Sequence, residues 1–130
     1  MRVFMTKAFT RFAHRERISD VSLCEAVRRA EQGRVDADLG GSVIKQRVAR
    51  PGQGRSGGYR VLIAYRARTR SVFLFGFAKN VRANVDDDEL ATLRDVANGW
   101  LAADAMVIAR AIAEGLIQEV DYGDQEEKKA

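Results

Sequence analysis

Gly58-Tyr-Arg-Val-Leu-Ile-Ala-Tyr-Arg66 and Ser71-Val-Phe-Leu-Phe-Gly-Phe-Ala78, joined by Ala67-Arg-Thr-Arg70, decide the fold. Each segment is apolar on both faces, the pattern of a strand buried in the middle of a sheet. The polar link is short, so the two strands form an antiparallel hairpin. Upstream, Ser42 to Ala49 has Ile44 and Val48 on one side and Lys45 and Arg47 on the other. Val43 and Gln46 break the alternation, yet a third strand is the best reading. Leu39-Gly-Gly41 is the turn before it.

Helices flank these strands. Val3-Phe-Met5 is a short strand or extended lead-in, and Thr6 can cap a helix through about Arg15. Ser19 or Asp20 can cap a second helix, with Val21, Leu23, Cys24, Val27 and Ala30 as its stripe and Gly33 as its end. Asp86-Asp-Asp-Glu89 puts acids where a helix N-terminus favours them, ahead of Leu90, Leu93, Val96, Ala97 and Trp100. Asp104 can cap a last helix from Ala105 to about Gln118, whose apolar face is wide enough that part of it can meet a protein partner.

The chain has 130 residues, 46% of them hydrophobic, which suits one domain with one core. That domain is expected over 1–120, with 121–130 a polar, disordered tail. No apolar run has the length of a signal peptide or a membrane span, so a cytoplasmic protein is expected. Cys24 is the only cysteine, which excludes an intrachain disulfide and a Cys-rich zinc site.

Charge is divided. Up to Val85 there are 18 basic and 6 acidic residues, a net of +12; from Asp86 there are 4 basic and 12 acidic, a net of −8. Between Leu39 and Val85 there is no acid at all, and ten cations: Lys45, Arg47, Arg50, Arg55, Arg60, Arg66, Arg68, Arg70, Lys79 and Arg82. Uncompensated charge repels itself, and a polyanion offsets that cost; nucleic acid is the first candidate.

Alternation points Lys45 and Arg47 the same way, about 7 Å apart. Arg60 opens one hairpin strand and Lys79 closes the other, so the two are neighbours. If the Lys45 strand pairs beside them, all four cations converge, a grouping able to hold a phosphate and stabilise the charge of its transition state. A solvated basic edge is the equally weighted alternative. The loop Pro51-Gly-Gln-Gly-Arg-Ser-Gly-Gly58 fails the phosphate-loop pattern, lacking the Lys and Ser/Thr that follow its last glycine. His14 has no partner as a triad base or ligand, and the Asp86 run is a helix start rather than a metal site. Tyr59 and Tyr65 can stack on a base or lie in the core.

Ile44-Lys-Gln-Arg-Val-Ala-Arg50, Gly54-Arg-Ser-Gly-Gly-Tyr-Arg60 and Phe73-Leu-Phe-Gly-Phe-Ala-Lys-Asn80 together strongly resemble the RelE-type toxins of bacterial type II toxin–antitoxin systems, in their HigB-like branch. Asp38-Leu-Gly-Gly41 and the acidic helix start after Asn84 fit as well, and the similarity runs from about Phe9 to Val120. The resemblance implies an α+β, microbial-ribonuclease-like fold, with helices packed on a twisted antiparallel sheet. It implies an mRNA interferase, generally acting in the ribosomal A site and neutralised by a cognate antitoxin encoded beside it. Such toxins use no metal or other cofactor, because the RNA's own 2′-hydroxyl is the nucleophile. Carried over, Lys45, Arg47, Arg60 and Lys79 are the catalytic cations, and Arg50, Arg55, Tyr59, Asn80 and Arg82 are expected to hold RNA. The chain departs from its relatives at Phe75, often Tyr, and at Val81, often polar.

Two other functions remain open at this point. ParE-type relatives share the fold and poison gyrase without cleaving RNA. A plain nucleic-acid-binding module would show only salt-dependent association.

Overall fold

The computed structural model describes residues 1–50 and 54–123, the side chains of residues 54–56 excepted. The elements run β1 (Arg2–Thr6), α1 (Lys7–Glu16), α2 (Asp20–Glu31), β2 (Ala37–Asp38), β3 (Val43–Arg50), β4 (Gly54–Arg66), β5 (Arg70–Ala78), α3 (Asp87–Ala102), α4 (Ala105–Ala113) and β6 (Ile117–Val120). The fold is α+β. Six strands form one sheet in the order β2-β3-β4-β5-β1-β6. The β4–β5 hairpin sits at its centre, as two-sided apolarity requires. The sheet is antiparallel except at one seam, where β1 runs parallel to β5.

Two cores, one on each face, explain why so many strand positions are apolar. Val3, Met5, Ile44, Val48, Val61, Ile63 and Phe73 pack under α1 and α2. Phe4, Val43, Leu62, Ala64, Val72, Leu74 and Phe77 pack under α3 and α4. Val43 therefore breaks no pattern: it serves the second core. Gln46 is fully buried with its amide satisfied, donating to the Ala26 and Arg34 carbonyls and accepting from the Asp36 N–H at 2.7 Å.

Each helix start follows its capping signal. Thr6, Ser19, Asp86 and Asp104 all accept a backbone N–H of the first turn, and Asp86 with Glu89 forms a reciprocal capping box. The last helix stops at Ala113, short of the expected Gln118. Gly115 takes φ +75°, a left-handed turn that ends the helix and lets Ile117–Val120 join the sheet beside β1. Residues 121–123 are tied to α2: Arg28 lies over the Tyr122 ring and donates to its carbonyl at 3.1 Å. The rest of the expected tail, 124–130, lies outside the described residues.

Two features position the basic strands. At Gly58 a Cβ would sit 2.2 Å from the Val48 carbonyl oxygen, so glycine is what allows β3 and β4 to meet there. At the far end of the hairpin, Arg66 donates to the Leu101 carbonyl at 3.0 Å, and Arg70 donates to those of Trp100 and Ala103, each at 2.7 Å. These sheet arginines serve the C-terminal end of α3, whose own last turn carries no basic residue.

Candidate functional site

The register fixes which cations share a face. Lys45 pairs with Leu62 and Arg47 with Arg60 on β4, while Arg60 pairs in turn with Phe77 on β5. Lys45, Arg47 and Arg60 therefore project from the α3/α4 side of the sheet. That helix pair covers the apolar part of the face, and α3 reaches the basic end only with its N-terminal turn. Lys45 donates from Nζ to Asn84 Oδ1 at 3.4 Å, in the loop that leads into α3.

The ladder continues one bond past β5, where the Lys79 N–H donates to the Gly58 carbonyl at 3.1 Å. Alternation from Phe77 carries Lys79 toward the Arg60 side of the sheet. Lys79 and Asn80 are both exposed. Arg82 joins the same face. Its guanidinium lies over the Phe75 and Phe77 rings, 5.9 and 5.7 Å from their centroids, and pairs with Glu89 at 2.5 Å. The Arg82 hydrogen bond and the Asp86 N–H hold the Glu89 carboxyl below its ordinary pKa.

Arg47 is held through its backbone as well as its side chain. Its backbone N–H donates to Asp36 Oδ2 at 2.7 Å and its guanidinium to Asp36 Oδ1 at 3.0 Å. Arg29, only 4% exposed on α2, donates to Asp36 Oδ2 at 3.2 Å and also bonds the Arg47 carbonyl. Burial works to raise the Asp36 pKa, but the Arg47 N–H and both guanidinium groups outweigh it, and the carboxyl lies below its ordinary 3.8. Burial first, and then the charge of Arg47, lower the pKa of Arg60, with Asp36 partly offsetting them.

Two residues expected to touch RNA stand apart from this face. Tyr59 is 2% exposed on the opposite face, its ring edge-on to Phe12 and its hydroxyl donating to Glu16 Oε1 at 3.1 Å. Its apolar neighbours occupy the space a base would need. Arg50 lies over that same Tyr59 ring at 5.5 Å, and so is turned away from Arg60. The Arg55 side chain and Pro51 to Gln53 lie outside the described residues.

Asp36 and Arg29 carry no site signal in the sequence, and Asn84 and Glu89 read there only as the start of a helix. The only local sign was that Asp36 and Asp38 are the last acids before the acid-free stretch. Nothing in spacing alone says that a residue preceding a two-residue strand will reach Arg47. Among the described residues, no three His, Cys, Asp or Glu side chains are grouped to hold a metal ion, and no single helix is long and apolar enough to cross a membrane.

A group of three or more cations on one sheet face, backed by aromatic rings, can bind an anion and lower the energy of charge that develops on it. A family model described as the RelE toxin of the RelE / RelB toxin-antitoxin system matches residues 1–120. No curated protein matches the chain.

Proposed function

The chain belongs to the RelE toxin family, and on that premise we propose that it is an endoribonuclease that cleaves mRNA, in the ribosomal A site, and is held silent by a cognate antitoxin. The observation that carries this reading is the common face of Lys45, Arg47 and Arg60. Arg82 and Lys79 extend that face along the course an RNA strand would follow. Asn80 lies beside them in the exposed turn.

The chemistry follows from RNA's own structure. The 2′-oxygen attacks the adjacent phosphorus as its proton passes to water, the bond from phosphorus to the 5′-oxygen breaks, and the departing oxygen takes up a proton from a lysine that solvent then reprotonates. The products are a 2′,3′-cyclic phosphate and a 5′-hydroxyl. Arg47 and Arg60 flank the phosphate and stabilise its pentacovalent charge. A lysine ammonium, Lys45 or Lys79, delivers the proton to the 5′-oxygen. Phe75 and Phe77 back Arg82 rather than supply a phenol. The substrate, the antitoxin and the ribosome would all meet the chain in the cytoplasm.

The test is induction in bacteria with mapping of transcript ends, alongside purified protein acting on mRNA in a translation extract containing EDTA. New 5′-hydroxyl ends within coding sequences, insensitive to chelator, are expected. Growth arrest with intact transcripts would overturn the reading, and DNA breaks at gyrase sites would replace it with the gyrase-poison alternative. Loss of that arrest on co-expression of the adjacent gene would identify the antitoxin.

A further inference from the structure

We propose that Asp36, clamped by the buried Arg29, is a positioning residue that fixes Arg47 beside Arg60; the inference rests on the ribonuclease reading above. The argument starts from the sheet edge. In β3 the backbone groups of Lys45 and Arg47 point away from β4. Lys45 meets Ala37 on β2, but β2 is two residues long and ends there. The continuation of the ladder toward Arg47 is made by side chains. Asp36 takes the Arg47 N–H and Arg29 takes the Arg47 carbonyl, the two groups an edge strand would otherwise have supplied.

The same carboxylate then reaches the Arg47 guanidinium. One ion pair therefore holds Arg47 at its N–H, its carbonyl and its side chain. Arg29 is itself fixed from behind by Glu25 at 2.8 Å. Capping the edge alone would need only the backbone contacts. The third contact, to the guanidinium, restricts a long side chain that would otherwise swing away from the like charge of Arg60. Preorganisation of this kind matters most for a group that must meet developing charge without rearranging.

Asp36→Asn separates the two roles. Its amide oxygen can keep the bonds from the Arg47 N–H and Arg29, which puts the amide nitrogen against the Arg47 guanidinium, donor to donor. The edge stays capped while the side chain is released. The experiment compares wild type, Asp36→Asn and Asp36→Glu for thermal midpoint, for kcat and KM on mRNA in a translation extract, and for the Arg47 guanidinium signals in NMR. We expect Asp36→Asn to fold, to lose between about tenfold and a hundredfold in kcat with KM within about twofold, and to show Arg47 signals averaged by rotation. Asp36→Glu should recover part of kcat. Unchanged kcat, or Arg47 signals as sharp in Asp36→Asn as in wild type, would overturn the proposal. A wild-type chain that cut no RNA, but whose Arg47 signals still collapsed in Asp36→Asn, would bring down the ribonuclease reading and leave the tether standing.

Discussion

Arg47 and Arg60 stand directly opposite one another on β3 and β4, in a pair whose backbone groups point away from each other. Pairs of that kind bring side chains closest, with Cα atoms about 4.5 Å apart. Like charges so placed are destabilising, so their position is set by something other than stability. Arg60→Met should raise the unfolding free energy by a few tenths of a kcal/mol and lower cleavage about a hundredfold. Urea unfolding beside a transcript-cleavage assay checks both signs. A variant that was both less stable and fully active would show that Arg60 is structural.

Tyr59 belongs to the other face. Tyr59→Phe removes only its hydroxyl bond to Glu16 and should cost about 1 kcal/mol of stability. Cleavage per folded molecule should stay at the wild-type rate. Loss of RNA binding in this variant would mean that the ring leaves its place against Phe12 when RNA arrives.

Gly58 sets the distance between the two basic strands. An added methyl meets the Val48 carbonyl and the Arg50 nitrogen, both backbone atoms that cannot rotate aside. Gly58→Ala should lose about 2–3 kcal/mol, measured by denaturant midpoint. Hydrogen exchange should quicken at the β3–β4 ladder around Val48 before it quickens at the β4–β5 hairpin.

Acid should act through Asp36 and Glu89. Both carboxyls titrate below their ordinary values of 3.8 and 4.5. A depressed folded-state pKa means that the stabilisation is complete above the ordinary value and disappears as pH falls through the folded one. Stability should therefore hold from neutral pH down to about 4.5 and decline below it. Asp36→Asn should begin lower at neutral pH and decline less steeply, which circular dichroism during acid titration measures.

Much of this architecture is legible in the sequence, because capping and two-sided apolarity are local signals. Thr6, Ser19, Asp86 and Asp104 announce their helices, and the β4–β5 hairpin announces the centre of the sheet. Lys45 and Arg47 share a face by alternation alone. What escapes is whatever depends on partners far along the chain. Ile117–Val120 has the composition of a helix end and becomes a strand because β1 offers an open edge. Tyr59 and Arg60 are adjacent, and only the pairing register says which of them faces the basic side. Gln46 looks like an interruption until its partners at Ala26, Arg34 and Asp36 are seen. Asp36 acquires its role from Arg29 and Arg47, 7 and 11 residues away.

The arginines that close the end of α3 change how the basic stretch should be counted. Arg66 and Arg70 direct their guanidinium groups at that helix's terminal carbonyls, and so belong to the scaffold rather than to any ligand. The tally of cations in this stretch thus overstates what an incoming phosphate chain encounters. The attraction is concentrated at the end of the sheet away from the hairpin tip, which gives the molecule a direction along which a strand is drawn in.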